Sequence, residues 1–225
     1  MIPFKQYITE LSKPNDVDLV KAAFRDLRNS IGHDEFASAF KDYGVWHSSP
    51  RASWSKDKIA TRSLIKTSLE KYGFKLVGAG AKGAAFSHDK YPYIIKIFSY
   101  DRGYTRYVKF VNAHPNNIYV PKFKGQPTKI FDEIYYIRVE KLLPIDRQNP
   151  KLPSLMGKLV EITRQLRSYG EVNLDGKALK FDSDMMEICE FLAKTPLFMS
   201  VDLHDGNFMA RPNGEIVIID PLIGD

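Results

Sequence analysis

The 225-residue sequence has a single cysteine and no apolar run near the roughly 20 residues that a membrane-spanning helix needs. One cysteine cannot form an internal disulfide, so Cys189 is expected to be a buried structural thiol in a reducing cytoplasm. The five histidines are scattered without a metal-ligand spacing, and no nucleophile elbow or Cys-His pair is evident. The N-terminus lacks the basic-then-apolar pattern of a secretory signal. These absences predict a soluble cytoplasmic protein without membrane contact.

Neither positive nor negative charge is concentrated in one part of the sequence. Lysine and arginine number 33 against 27 acidic residues, which gives a net charge of +6 and a pI near 9.2. A basic excess can favour nucleic acid, an anionic cofactor or an acidic partner. Because the basic residues are dispersed, a solvated surface explains them better, and no direct nucleic-acid binding is expected. The length suggests one or two domains.

Residues 1–72 have mainly helical periodicity. Apolar residues recur at helical spacing over residues 16–28, and Gly32 is the expected end of that helix. Further helices are predicted over residues 34–41 and 57–72. The polar connector 46–55 is predicted to be a loop; the alternative is a self-phosphorylated segment whose acceptors are Ser48, Ser49, Ser53 and Ser55.

From residue 74 onward, short apolar runs separated by turn residues predict strands. A hairpin is predicted over residues 74–86, with Gly78, Gly80 and Gly83 in its turn. The remaining predictions are a strand over 93–98, a helix over 102–113, extended chain over 116–123, a long strand or hairpin arm over 130–139, a break over 140–144, and helices over 155–169 and 183–194.

The hairpin glycines and the next strand suggest a nucleotide site. A GxGxxG run is weak evidence alone, since it also marks dinucleotide-binding turns. Here it lies between two strands instead of opening a long helix, which favours a flap over nucleotide phosphates. Lys96 follows Gly83 by thirteen residues. A lysine in a sheet interior is costly unless it meets anions such as phosphates; the alternative is an edge-strand lysine facing water.

Three polar residues lie in an apolar stretch near the C-terminus. Asp202 precedes Asn207 by five residues and Asp220 by eighteen. Phosphoryl transfer needs a carboxylate that orients the attacking hydroxyl, which suits Asp202, and oxygen ligands for magnesium, which suit Asn207 and Asp220. Residues 205–207 alone would indicate only a turn, but the order of glycine loop, strand lysine, hinge, Asp202, Asn207 and then Asp220 favours the nucleotide site. His204 could contact a phosphate or the base, or make a structural hydrogen bond.

These motifs resemble the protein-kinase-like fold. The Asp-Leu-His-x-Gly-Asn form of residues 202–207 is similar to that of atypical kinases and aminoglycoside-type phosphotransferases. Over residues 72–221 the chain resembles the early serine/threonine protein kinases of short-tailed lytic phages of the Teseptimavirus type. The matching motifs are residues 73–80, 84–88, 94–96, 202–207 and 219–221.

The resemblance implies an α+β, minimal bilobal fold: an N-terminal helical extension (1–72), a small antiparallel sheet lobe (73–139) and a truncated helical lobe (140–225). It implies an ATP- and Mg²⁺-dependent serine/threonine kinase that phosphorylates host proteins of transcription or RNA processing during host takeover. The implied roles are Asp202 as base with His204 beside it, Lys96 on the α/β-phosphates, Gly78, Gly80 and Gly83 over the phosphates, backbone groups of Glu140 and Leu142 on adenine, and Asn207 and Asp220 on magnesium.

Two features depart from the kinase pattern. Residues 102–113 contain no Glu or Asp, so the acid that pairs with Lys96 is expected elsewhere, such as Asp101 or the N-terminal helices. Only five residues follow Asp220, so substrates are expected to dock on another surface, such as the N-terminal 70 residues. Two alternatives stay open: a kinase-shaped protein that inhibits a host protein by binding it, and a small-molecule phosphotransferase.

Overall fold

The computed structural model describes residues 16–32, 56–80, 83–131, 134–146, 149–172 and 182–224. Within these ranges the chain forms five α-helices and ten strands, which confirms the predicted α+β class. None of the helices in these ranges is both long and apolar enough to cross a membrane. The predicted helix over 34–41 and the connector 46–55, with its four candidate acceptor serines, lie outside the described residues.

Two helices precede the first strand. Helix α1 (Asp16–Ile31) buries an apolar face of Val20, Ala23, Phe24 and Leu27, as the sequence periodicity predicts. Gly32 ends it with φ +89° and donates its N–H to the Arg28 carbonyl at 3.0 Å, which confirms the predicted end. Helix α2 (Lys56–Glu70) packs against α1 and confirms the predicted helix over 57–72 with slightly different ends.

Five strands form one sheet in the order β1-β2-β3-β5-β4. They are β1 (Phe74–Ala79), β2 (Gly83–His88), β3 (Tyr93–Ser99), β4 (Phe123–Phe131) and β5 (Ile134–Glu140). Strands β1 and β2 are antiparallel, with a bulge between Leu76 and Gly78. The predicted turn was too wide, because Gly78 lies in β1 and Gly83 begins β2, which leaves Gly80 between the strands. The range 130–139 was predicted as a strand or hairpin arm; its described residues belong to the end of β4 and to most of β5.

Helix α3 (Arg102–Ala113) has the predicted bounds. The buried Asp101 side chain caps it by accepting the Tyr104 N–H at 3.0 Å. Its buried face contains Tyr104, Tyr107, Val108 and Val111.

The prediction of extended chain over 116–123 was wrong. Turns occupy residues 115–116 and 118–119, and no strand lies between the end of α3 and Phe123, where β4 begins. Asn117 explains the difference, because its side-chain oxygen accepts the Tyr119 N–H at 3.0 Å in an Asx-type turn. Its amide nitrogen donates to the Asp184 carbonyl at 2.7 Å, a long-range contact that local sequence does not encode.

Two further helices pack against each other: α4 (Lys151–Tyr169) and α5 (Ser183–Ala193). Helix α4 starts four residues before its predicted start at 155, since a proline such as Pro153 is tolerated in the first helical turn. Helix α5 begins after Asp182, whose side chain accepts the Met185 N–H at 2.9 Å.

Short strands surround the segment of residues 202–207. Strands β7 (Met199–Val201) and β10 (Leu222–Gly224) pair antiparallel. Strands β6 (Leu143–Pro144), β8 (Phe208–Ala210) and β9 (Ile216–Ile218) form a three-stranded sheet in the order β6-β8-β9. The predicted break over 140–144 therefore contains the end of β5 and the short strand β6.

The chain divides into two compact units. The first unit comprises residues 1–91, 95–99 and 128–136, and it carries Gly78, Gly80, Gly83 and Lys96. The second unit comprises residues 92–94, 100–127 and 137–225. It carries Glu140, Leu142, Asp202, His204, Asn207 and Asp220. The predicted division into 1–72, 73–139 and 140–225 stays a prediction.

Candidate active site

The segment between β7 and β8 carries Asp202, His204 and Asn207. Strand pairing fixes both of its ends: β7 pairs with β10 before it, and β8 pairs with β9 after it. The Asp202 N–H donates to the Pro221 carbonyl at 2.8 Å and extends the β7–β10 pairing. The half-buried Asp202 is therefore held at a defined place by the backbone on either side of it.

Asn207 is oriented by Asp202. Its amide nitrogen donates to the Asp202 main-chain carbonyl at 2.8 Å and to the carboxylate Oδ2 at 3.1 Å. Because the amide group of Asn207 faces Asp202 through its nitrogen, its acceptor oxygen faces another direction. Amide and carboxylate oxygens are the atoms that magnesium prefers, so this orientation fits the predicted metal role of Asn207.

A backbone hydrogen bond brings Asp220 to the same place. The Ile219 N–H donates to the Asn207 carbonyl at 2.9 Å, and Asp220 is the next residue. With the Asp202–Pro221 bond on its other side, Asp220 lies between two backbone links to the 202–207 segment. The second unit thus brings together Asp202, Asn207 and the backbone of Asp220, while their catalytic and metal roles stay predictions.

His204 contacts both its own turn and Asp202. Its Nδ1 accepts the Gly206 N–H at 3.1 Å, which caps the 3₁₀ turn Asp205–Asn207. A ring whose Nδ1 accepts carries its proton on Nε2, and Nε2 lies 3.5 Å from Asp202 Oδ2. The structural hydrogen bond that the sequence left open is therefore present, and the same ring also faces the predicted base.

Tyr107 supports the strand that leads to Asp220. Its phenol donates to the Ile218 carbonyl from within the buried face of α3. Burial, and after it the charge of Asp220, raises the pKa of Tyr107 well above its ordinary value. The phenol is therefore protonated and acts as a hydrogen-bond donor at neutral pH.

Sequence reasoning missed Arg211, which follows β8. Its guanidinium donates to the Glu140 carboxylate at 2.9 and 3.3 Å and to the Ile118 and Val120 carbonyls at 2.7 and 2.8 Å. Burial opposes its charge, but hydrogen bonds to Glu140 and Glu215 raise the pKa of Arg211 above its ordinary value. The pattern Arg-Pro-Asn-Gly-Glu hints at the Arg211–Glu215 pair across a turn; no local signal points to Glu140, 71 residues away.

The hydrogen bonds of Glu140 limit which of its groups could contact adenine. Its carboxylate binds Arg211 and also accepts the Lys122 N–H at 2.8 Å, while its own N–H donates to the Lys122 carbonyl at 2.9 Å. Only the Glu140 carbonyl therefore matches the backbone role expected toward adenine. The half-buried Leu142 lies in the connection between β5 and β6, where its adenine role stays a prediction.

The three hairpin glycines of the first unit differ in their surroundings. A Cβ at Gly78 or Gly80 would meet nothing within 4 Å, which leaves room for a ligand to approach that backbone. A Cβ at Gly83 would lie 2.8 Å from the Ile97 carbonyl oxygen and from the Phe98 Cβ. Close packing of β2 on β3 therefore explains why residue 83 is a glycine. Phosphate binding is not needed to explain it.

Lys96 is half-buried on β3, between the buried Ile95 and Ile97. Because β3 lies inside the sheet, between β2 and β5, the alternative of an edge-strand lysine is wrong. Asp101, one of the acids suggested for it, caps α3. The acid that pairs with Lys96 stays a prediction.

Among the described side chains, no group of three or more His, Cys, Asp or Glu residues forms a metal cluster. The predicted site, one amide and one carboxylate, is not a cluster of this kind, so its metal role stays a prediction. Magnesium is commonly bound through one or two protein ligands together with waters and substrate phosphates, so Asn207 and Asp220 suffice chemically.

A sequence model of the family described as Bacteriophage T7 protein kinase 0.7 matches residues 60–223, well over half of the chain. The chain belongs to this family. It is therefore a protein kinase, which confirms the predicted resemblance to phage kinases and implies the use of ATP. The matched range includes every predicted site residue, from Gly78 to Asp220. A comparison with curated proteins found no match.

Proposed function

We propose that this kinase transfers the γ-phosphoryl group of Mg²⁺-ATP to serine or threonine hydroxyls of host proteins. The observation that carries the proposal is the hydrogen-bonded arrangement of Asp202, Asn207 and the backbone beside Asp220. It provides one carboxylate and two oxygen ligands of the kind that phosphoryl transfer requires.

Asp202 would act as the base. As the acceptor hydroxyl attacks the γ-phosphorus, its proton passes to the Asp202 carboxylate, the new P–O bond forms, and the bond to ADP breaks. Asn207 and Asp220 would hold magnesium, which supplies positive charge to the phosphate oxygens when bound. His204, whose Nε2 faces Asp202, would keep that carboxylate oriented.

The first unit would bind the nucleotide phosphates. Lys96 would contact the α/β-phosphates, and the open backbone at Gly78 and Gly80 would cover them. The Glu140 carbonyl and the backbone of Leu142 would meet adenine. Together these roles correspond to a minimal bilobal kinase-like fold.

The family match supports a phage setting, in which the kinase would act in the bacterial cytoplasm on host transcription or RNA-processing proteins. A single, buried cysteine is consistent with a reducing compartment. Self-phosphorylation of the serines in the 46–55 connector belongs to the same proposal.

Transfer of labelled γ-phosphate to the kinase itself and to a bacterial extract tests the assignment. We expect Asp202→Asn and Asp220→Asn to lower the rate by about 10²- to 10⁴-fold, as loss of a general base or of a metal ligand does. Chelation of magnesium should abolish transfer, and added Mg²⁺ should restore it. Asp89→Asn is the matched control, because Asp89 is an exposed partner of Lys75 at 2.7 Å in the first unit.

Transfer at the wild-type rate by Asp202→Asn would remove Asp202 from the mechanism. If the Asp202→Asn and Asp220→Asn proteins lost transfer yet kept their full effect on the host, the alternative of inhibition by binding would be favoured for that effect. Phosphorylation of a small molecule in preference to any protein would favour the phosphotransferase alternative.

A further inference from the structure

An open groove of about 320 Å³ lies in the second unit beside the loop that carries Asp202. One wall comes from α4, through Val160, Thr163, Arg164, Arg167 and Ser168. The other comes from Val201 and Leu203, the two residues that flank Asp202. Since neighbouring Cα atoms are about 3.8 Å apart, this wall begins one residue from the predicted base.

The two arginines of the groove differ in their partners. Arg164 binds the Glu161 carboxylate through two nitrogens, at 2.7 and 3.0 Å. Hydrogen bonds from Arg164 and Gln165 lower the pKa of Glu161 to about 2, so that this pair stays internally neutralised. Arg167 makes a 3.4 Å hydrogen bond to the Thr195 carbonyl and, among the described residues, has no carboxylate partner.

Among the residues that the structure describes, Arg167 is therefore the arginine of the groove whose charge no carboxylate compensates. A guanidinium has five N–H donors in a planar fork that matches a carboxylate, and the bond to Thr195 occupies one of them. Val160, Val201 and Leu203 add apolar surface against which a peptide chain can pack. The groove thus combines a positive charge with apolar walls, a combination complementary to a peptide that carries an acidic side chain.

We propose that the groove binds an Asp or Glu side chain of the protein substrate, within a few residues of the serine or threonine that accepts the phosphate. Val201 and Leu203 line the groove, so the Asp202 side chain between them lies on the other face of this extended segment. An extended peptide advances about 3.3 Å per residue, so its acid can occupy the groove while an acceptor a few residues away reaches Asp202. This inference rests on the proposed kinase function and specifies its substrate class. It also places a substrate surface on the second unit instead of on the N-terminal residues.

The test is a set of serine/threonine peptides in which each position around the acceptor is fixed in turn as Asp, Glu, Lys or Ala. The wild-type kinase should use peptides with an acid at one or two of these positions about 3- to 10-fold better than the Lys forms, the range of a partly exposed charged contact. The difference should lie mainly in KM. Arg167→Glu should lose the preference for acid and favour Lys at the same positions.

Lys151→Glu is the matched control, since it makes the same change of charge at the exposed first residue of α4, outside the groove. It should keep the acidic preference, and both variants should unfold at the wild-type temperature. No acidic preference in the wild type, or a preference unchanged by Arg167→Glu, would overturn the inference while leaving the kinase function intact. Absence of transfer to any peptide, to an extract and to itself would overturn both.

Discussion

Gly83 illustrates, at the scale of a single residue, how a motif position can serve the fold. It belongs to the GxGxxG run that suggested a flap over nucleotide phosphates. However, a residue with a Cβ would not fit at this position, because the backbone of β3 and the Phe98 side chain occupy that space. Gly78 and Gly80 have no such neighbours. The sequence could not separate these roles, because the atoms that fill the space at Gly83 come from another strand.

Gly83→Ala should therefore lower the free energy of unfolding by about 1–3 kcal/mol, the usual cost of forcing extra volume into a packed site. Gly80→Ala is the matched control and should leave the stability nearly unchanged, while weakening ATP binding if the hairpin covers the phosphates. Urea denaturation measures the first effect and nucleotide titration the second. Equal stability of the two variants would contradict the packing role of Gly83.

Arg211 is a second case at the residue scale. Its nitrogens join the end of β5, the 118–120 turn and the start of the β8–β9 connection. An arginine in a turn sequence is ordinarily taken as a solvated surface residue. Its partners are contributed by distant segments, so only the folded chain shows that its side chain is 11% exposed.

At the scale of elements, α3 supports the strands on either side of Asp220 without contributing a predicted catalytic residue. It packs against β10, and through Tyr107 it also holds the Ile218 carbonyl at the end of β9. Strand β9 leads directly to Asp220. A fixed α3 therefore restricts the position of a predicted magnesium ligand.

Tyr107→Phe should destabilise the protein by about 1–3 kcal/mol, because it leaves the buried Ile218 carbonyl without this donor. It should also lower kcat, since Asp220 would be less well held. Tyr119→Phe removes a phenol bonded to the Asp182 carboxylate at an exposed position and should cost less. Denaturation and steady-state kinetics of the two variants check this; a smaller loss for Tyr107→Phe would contradict the supporting role of α3.

The helices were predicted well and the connections less well, for a physical reason. Helix α3 has an apolar periodicity and the capping residue Asp101 within one local stretch. The 115–119 turns depend on Asn117, whose amide also meets Asp184 on α5. The spacing of apolar residues indicates which face of a helix or strand is buried. A loop that is stabilised by contacts with a distant helix has no corresponding pattern in its own sequence.

At the scale of the whole molecule, Cys189 reports on global folding because it is the chain's single thiol. It is fully buried on α5, with its sulfur 3.9 Å from the Leu159 carbonyl of α4. Burial raises the pKa of the Cys189 thiol to about 11 from an ordinary value of 9.0. The thiol is therefore protonated in the folded protein at neutral pH, as the sequence-based assignment of a structural cysteine requires.

A thiol reagent at pH 8 should consequently leave the folded protein unmodified and react with one equivalent after unfolding in urea. Because the folded pKa is the raised one, the stabilising contribution of the neutral thiol is complete below about pH 9 and is lost between about pH 9 and 11. Denaturation at pH 7 and pH 10.5 should show a larger loss in the wild type than in Cys189→Ala, which still loses the contribution of the buried Tyr107, whose folded pKa is raised too. Rapid modification of the folded protein at pH 8 would contradict the burial of Cys189.

The sequence by itself determined the spacing of Asp202, Asn207 and Asp220 and the main helices, because a short polar motif and an amphipathic helix are specified by neighbouring residues. Only the tertiary structure decided that the amide nitrogen of Asn207 faces Asp202, that Gly83 serves strand packing, and that Glu140 is bound by Arg211. Each of these depends on atoms brought together from distant segments. Long-range packing and hydrogen bonds stabilise these three arrangements, and the order of residues along the chain does not show which distant residues meet.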